Sequence, residues 1–292
     1  MSRSEPTSLP LTVASILADP AVQAGVDRWL AGQQRYCLMR CDPSRDPVTA
    51  LQEHGEAIDA LLLQHGGLSA DQIRALNEQG LLLPAVVIGS GGSGSVELHE
   101  AEVHLPPDQL EQLSYSLDAA VSRFLLRGGG ELPAAEVAPG DLGLSDRWRL
   151  ADRLQERLGL AGVFYKRDAS RFLRHLPPQD AAELLGSLQR TYRDLLLHYF
   201  RDPTAANQAL ESFVNTAFFS DLPITKTIEI HMNLIDGFAK QLRIERRGSE
   251  FLQDYRLALL DVLAHLCEMY RRAIPPEPVV DRSSLDVSLH ER

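Results

Sequence analysis

Apolar positions recur at helical spacing over two long runs near the C-terminus, Pro223–Arg247 and Ser249–Ile274. On a wheel of about 100° per residue, Leu252, Tyr255, Leu259, Val262, Leu266 and Met269 of the second run form one seam. Leu260, Leu263, Cys267, Tyr270 and Ile274 fall beside it. Together they cover about half the circumference, wider than the roughly 100° stripe a surface helix presents to a core. Such a helix packs on its own bundle and on a second partner. Asp254, Asp261, His265, Glu268 and Arg272 make one narrow polar line. It is either a solvated face tied by pairs such as Asp261–His265 and Glu268–Arg272, or the wall of a binding groove. The first run places Pro223 in a first helical turn behind Asp221. Ile224, Ile228, Met232, Ile235, Phe238 or Ala239, and Leu242 read as its buried stripe, with Glu229, Asn233, Asp236, Lys240 and Arg243 outside. Gly248 and Ser249 end one helix and cap the next, so the pair is expected to form an antiparallel hairpin.

The first half alternates differently. Leu11–Ile16, Tyr36–Met39, Ala57–Leu63, Pro84–Ile88 and Glu102–Leu105 read as strands, the third ambiguous with a buried helix because it is Leu-rich. Ala21–Ala31, a run capped by Ser69 through Gln79, and Pro107–Leu126 read as helices. This alternation predicts an α/β domain, a parallel sheet with helices on both faces, over 1–130. Gly128–Gly130 stop the last of these helices, and the Pro-, Gly- and Ala-rich stretch 131–144 reads as a linker. From Ser145 or Asp146 the pattern is all-α: a helix to Leu158, a short one at Asp168–Leu176, then Gln179–Phe200 and Pro203–Ser220, so that 145–275 forms a helical bundle. Residues 276–292 read as a frayed tail.

Composition narrows the function. The formal net charge of −11 disfavours nucleic-acid binding, which requires basic surface. No apolar run reaches the roughly 18 residues of a membrane span, and the N-terminus lacks an export signal, so a cytoplasmic protein is expected. Three cysteines, Cys37, Cys41 and Cys267, fit a reducing compartment.

Candidate chemistry is sparse. Gly89, Gly91 and Gly94 match G-x-G-x-x-G after a strand, but no helix opens on the last glycine to meet a pyrophosphate, so the segment reads as a loop. Cys37 and Cys41 lack a second pair for a metal. His265-x-x-Glu268 reverses the order used in di-iron bundles, and Glu229-x-His231 diverges on a helix. No metal site, G-x-S-x-G or nucleophile–base pair is expected. The sheet domain invites comparison with phosphoacceptor receivers, yet the third strand ends in Gln64 and His65, only Asp19 is acidic near the first strand, and no Lys follows the fifth at His104–Pro106. Carboxylates to hold Mg²⁺ are missing, so a receiver-like fold without receiver chemistry is expected. The competing reading is a receiver-like signal-transduction protein acting as phosphoacceptor or enzyme; a metal-binding bundle is a third.

Arg153–Pro177, Phe213–Lys240 and Asp254–Pro275 strongly resemble the C-terminal domain of the cyanobacterial circadian clock KaiA family. Pro84–Gly89 and His104–Ala120 resemble its first domain more loosely, and Gly89–Ser95 and the chain after Pro275 depart from it. The resemblance implies a flavodoxin-like pseudo-receiver domain, a linker and a dimerising helical bundle. It further implies a homodimeric, non-enzymatic activator that captures the C-terminal tail of KaiC and favours KaiC autophosphorylation, antagonised by KaiB docked on KaiC. No cofactor is required, although oxidised quinones are ligands reported for some members. On this reading Met232, Leu259, Leu263 and Leu266 are candidates for the floor of the tail groove, and Glu229, Asp236, Arg243, Asp261, His265, Glu268 and Arg272 for its walls.

Overall fold

Five short apolar runs pair into one parallel sheet: β1 (Leu11–Ile16), β2 (Tyr36–Arg40), β3 (Ala60–Gln64), β4 (Ala85–Ile88) and β5 (Val103–Leu105). Their order, β2-β1-β3-β4-β5, is that of flavodoxin-like folds. The structure is a computed structural model and describes residues 10–30, 33–42, 45–55, 57–78, 83–89, 98–99, 101–129, 154, 167–245 and 250–274. β3 and β4 are apolar along nearly their whole length because helices cover both faces of a parallel sheet. Register is fixed by pairs such as Val13↔Ala60, Leu62↔Val86 and Val86↔Val103. The third strand starts later than the sequence pattern suggests. Asp59 stands outside it, its carboxylate accepting from the Thr12 amide at 2.8 Å.

Helices α1 (Pro20–Leu30), α2 (Pro47–His54), α3 (Ala70–Glu78) and α4 (Leu113–Gly129) accompany the sheet. α1 buries Val22, Val26 and Leu30. α3 opens on a reciprocal cap in which Ser69 Oγ accepts from the Gln72 amide and Gln72 Oε1 from the Ser69 amide. The sequence reading passes over α2. It is only eight residues long, too short for a clear period, although Asp46 caps it at the Thr49 amide and Pro47 fills its first turn. α4 is preceded by a 3-10 turn at Leu110–Gln112 and continues through Gly129, beyond the expected stop. Gly89 follows β4 at φ 153°, and a Cβ there would lie 2.4 Å from His65 Cβ. The expected linker at 131–144, the tail at 276–292 and, apart from Leu154, the helix expected from Ser145 or Asp146 to Leu158 lie outside the described residues.

The helical half contains α5 (Pro178–His198), α6 (Pro203–Phe219), α7 (Ile224–Ile244) and α8 (Arg256–Arg272). Asp202 caps α6 by accepting from the Thr204 and Ala205 amides, with Pro203 in the first turn. Asp168–Leu176 is not a regular helix. It forms two 3-10 turns, Ala169–Arg171 and Leu173–His175, separated by extended Phe172. Pro177 and Pro178 then disfavour a helical residue before them. Ser249–Ile274 likewise begins as a 3-10 stretch, Glu250–Tyr255, and becomes α-helical at Arg256. Residues 246–249, which include the expected cap, are not described.

The helical half docks against α4 and the turn before it through a shared apolar core and a set of buried polar groups. Gln112, fully buried, donates to Ser187 Oγ (2.9 Å) and Thr191 Oγ1 (2.7 Å) and accepts from Thr216 Oγ1 (2.7 Å). Asp118, also buried, accepts from Tyr36 Oη (2.9 Å) and Arg35 Nη2 (3.1 Å) and pairs with Arg171. Burial raises the Tyr36 phenol well above its ordinary value against the pull of Arg171. The ring of Tyr115 also contacts Arg171, and burial pushes its phenol up to about 12.

Candidate partner-binding site

The expected apolar stripe of α7 divides in two: Ile235 and Phe238 pack against the core as expected, but the first turns face the other way. Thr227, Ile230 and His231 are its buried residues, while Ile224 and Ile228 are each 38% exposed and Met232 is 52% exposed. Periodicity marks an apolar face but not what covers it. Here a polar pair occupies the core side instead: His231 Nδ1 meets Tyr192 Oη at 3.1 Å, and the Tyr192 ring meets Phe213 edge-on. Burial lowers the His231 pKa, favouring the neutral ring. Glu229 and His231 diverge as expected, Glu229 outward to Lys226 at 2.8 Å and His231 inward.

α8 packs chiefly on α6, and α7 touches both α5 and α8 lightly. Ala258, Val262 and Leu266 are the core residues of α8. Leu266 is therefore sealed in the bundle and unavailable as a groove floor. Leu259 and Leu263 are half-buried, and Leu257 and Leu260 are exposed at 48% and 59%. With Ile224, Ile228 and Met232 they give the helical half two exposed apolar flanks.

The polar line of α8 is internally bonded. Asp261 accepts from Tyr199 Oη at 2.7 Å, and His265 donates from Nδ1 to the Asp261 carbonyl at 2.8 Å. The expected Asp261–His265 pair thus runs through the backbone, while the side chain of Asp261 ties α8 to the end of α5. Glu268 pairs with Arg272 as expected, at 2.7 Å, and also with Arg271 at 2.6 Å. Hydrogen bonds from Arg271 and then Arg272 lower its pKa to about 2, so it is anionic at any working pH. Asp236 and Arg243 lie exposed on α7.

In the sheet half, Gln64 occupies the end of the third strand. Where β3 ends, Gln64 Oε1 accepts from the amides of Ala18 and Asp19, each at 2.9 Å. The side chain that stands in the phosphoacceptor's place ties down the β1–α1 loop, and Asp19 caps Ala21 at 2.8 Å. No cluster of three metal-ligating residues occurs among the described residues. Cys37 and Cys267 are exposed, Cys41 is half-buried, and all three are free. No described helix is long and apolar enough to cross a membrane.

A five-stranded parallel flavodoxin-like sheet followed by an all-helical half with exposed apolar flanks defines a two-part α/β plus all-α protein. The comparisons identify which. The description "Circadian clock protein KaiA, N-terminal domain" matches residues 11–127, and "KaiA C-terminal domain" matches residues 156–277. The chain belongs to the KaiA family of circadian clock oscillator proteins, non-enzymatic activators of the cyanobacterial clock. It is 52% identical over 287 residues to KaiA of Parasynechococcus marenigrum, covering 97% of this chain and 94% of that one. It is 36% identical over 285 residues to KaiA of Picosynechococcus sp., covering 90% and 94%. Similarity to KaiA of Synechococcus elongatus, 52% over 184 residues, covers 61% of this chain and 65% of the relative. The crystal structure of the C-terminal domain of Thermosynechococcus elongatus BP-1 KaiA covers 36% of this chain and 99% of its own, at 45% identity and a TM-score of 0.32.

Proposed function

We propose that this protein acts as a homodimer that binds the C-terminal tail of KaiC along the exposed faces of α7 and α8 and so stimulates KaiC autophosphorylation, with KaiB on KaiC as antagonist. The observation that carries the reading is the uncovered apolar surface of Ile224, Ile228, Met232, Leu257 and Leu260 beside the charged line Asp261–Arg272. One apolar flank suits a symmetric second copy, the commonest closed assembly. The charged line suits a peptide whose register is set by polar contacts. Activation then needs no catalytic group. Preferential binding of one KaiC conformation shifts its population, and a hundredfold shift requires about 2.7 kcal/mol of differential affinity. The Gln64 clasp disfavours the alternative of a phosphoacceptor.

The test is a titration of the full-length protein with a fluorescent KaiC tail peptide, alongside KaiC phosphorylation in the presence of ATP. Glu268→Lys reverses an exposed charge and should weaken the peptide about tenfold to a hundredfold, with the melting temperature nearly unchanged. Asp261→Lys is less clean because it also breaks the Tyr199 hydrogen bond; Asp261→Asn retains an acceptor for it. Unchanged affinity in both Glu268→Lys and Asp261→Lys would place the groove elsewhere.

A further inference from the structure

The segment between the sheet half and α5 is clamped at both ends. On one side Arg171 is 8% exposed and reaches across to the sheet half. Its guanidinium pairs with Asp118 and donates to Tyr36 Oη at 3.2 Å, and its carbonyl accepts from Tyr115 Oη at 2.8 Å. Asp168 stands 3.4 Å from Arg171 Nε, so two guanidiniums, Arg35 and Arg171, face two carboxylates, Asp118 and Asp168. The cluster is charge-balanced, and a buried group left alone in it would be costly.

On the other side the same ten residues hold the entrance to α7. The Leu173 amide donates to the Ser220 carbonyl at 2.7 Å. Arg167 and Arg174 take the two oxygens of Asp221 at 2.8 and 2.9 Å. Asp221 is the only non-glycine residue of positive φ (54°) among the described residues. Asp tolerates that conformation better than most side chains, but it remains sparsely populated. Arg167 also lies over the rings of Phe172, Phe218 and Tyr270, at 5.4, 5.0 and 5.1 Å, so the clamp reaches α8 as well as α7. Phe172, the extended residue between the two turns, lies between Arg167 and Arg174. The strap holds only two short 3-10 turns of its own, joined by extended Phe172, and the contacts at its two ends fix how those turns are placed.

We propose that Arg167–Leu176 is a coupling strap that conveys the docking state of the sheet half to the first turns of α7. When the Asp118–Arg171 cluster is closed, Arg167, Leu173 and Arg174 are in place to hold Ser220 and Asp221, and α7 starts in its observed direction. When the cluster opens, the strap relaxes and the turn before Pro223 loses three of its partners together. The exposed residues Ile224, Ile228 and Met232 follow that turn directly, so undocking the sheet half changes the surface offered to a partner. The consequence for the groove rests on the reading given under Proposed function; the coupling itself does not.

Hydrogen exchange on the full-length protein without ligand tests the coupling. In Asp118→Asn, amides of 168–176 and of 221–231 should exchange faster together, by about tenfold or more, as expected for one locally opening unit. In Arg167→Ala/Arg174→Ala the cut lies at the other end, so 221–231 alone should speed up. Adding Asp118→Asn to that double variant should then change 221–231 no further, the non-additivity of residues in one network. Tyr36→Phe, which removes hydrogen bonds but no charge, gives the graded version should Asp118→Asn fail to fold. Acceleration of 168–176 with 221–231 at the wild-type rate, or strictly additive effects at 221–231, overturns the strap. Tail-peptide affinity measured on the same samples separates the two claims: failure of the wild-type protein to bind the peptide removes the groove and leaves the exchange result to decide the coupling.

Discussion

Replacing Gln112 by Leu removes the centre of the polar contact between the two halves while keeping side-chain volume close to the original. Gln112 is fully buried, and its amide makes hydrogen bonds to Ser187, Thr191 and Thr216, on α5 and α6. At about 1 kcal/mol net for each bond, three losses amount to about 3 kcal/mol. Relief is available because the hydroxyls of Ser187 and Thr216 can turn to carbonyls of their own helices, as Thr191 already does toward the Ser187 carbonyl at 3.2 Å. Thr191 also keeps its donation to Gln109 Oε1 at 2.5 Å. The expected loss is therefore about 1.5–3 kcal/mol. Urea unfolding of the full chain followed by circular dichroism measures it, with the m-value checked for constancy. Hydrogen exchange at 187–191 and 212–216 shows whether the loss is local to the junction. A change below about 0.5 kcal/mol, typical of an exposed site, with unaltered protection at 187–216, would refute the reasoning and leave the junction to its apolar contacts and the Asp118–Arg171 cluster.

Other outcomes follow from particular groups. His231 has a pKa lowered by burial, so the unfolded chain binds its proton more readily than the folded one. Stability should fall as pH drops below the ordinary histidine value of about 6.5, and in His231→Phe that part of the slope, read from melting temperature against pH, should vanish. Gln64→Ala frees the amides of Ala18 and Asp19 and should cost about 1–2 kcal/mol in chemical denaturation. Incubation of the wild-type chain with acetyl phosphate and Mg²⁺ should leave the sheet half unphosphorylated by mass spectrometry; a phosphorylated residue there would restore the receiver reading. Light scattering at micromolar concentration should give a dimer, and Ile228→Glu should shift it toward monomer if the α7 flank is the surface that pairs.

The strands were legible because parallel strands buried on both faces are continuous apolar runs, and PAVVI at Pro84–Ile88 is the plainest of them. The place of Gln64 at the end of the third strand was legible as well, since the strand's apolar run stops there. The orientation of the first turns of α7 was not, although Ile235 and Phe238 further along pack inward as expected. Ile224, Ile228 and Met232 recur at core spacing yet face outward, while Thr227 and His231 sit inside. A buried histidine is tolerable only with its tyrosine opposite, and Tyr192 lies 39 residues away in sequence. Arg171 and Asp118 hid for the same reason: each reads as an ordinary surface charge until the other is brought to it across 53 residues.

The contact between the two halves sets a group of buried polar side chains, Gln112, Ser187, Thr191, Thr216, Arg171 and Asp118, into a shared apolar core, whereas isoleucines and leucines are left exposed on α7 and α8. The polar groups make the junction intolerant of misalignment, since each displaced group is left buried and unbonded. Exposed apolar surface behaves in the opposite manner, being adhesive but undemanding in direction. On the proposed reading it would supply affinity for a second copy or a captured tail, and the charged line Asp261–Arg272 would supply the register that the apolar contact cannot. With the proposed strap added, the sheet half need never touch the tail to influence it: altering how firmly α7 is held at Asp221 would be sufficient.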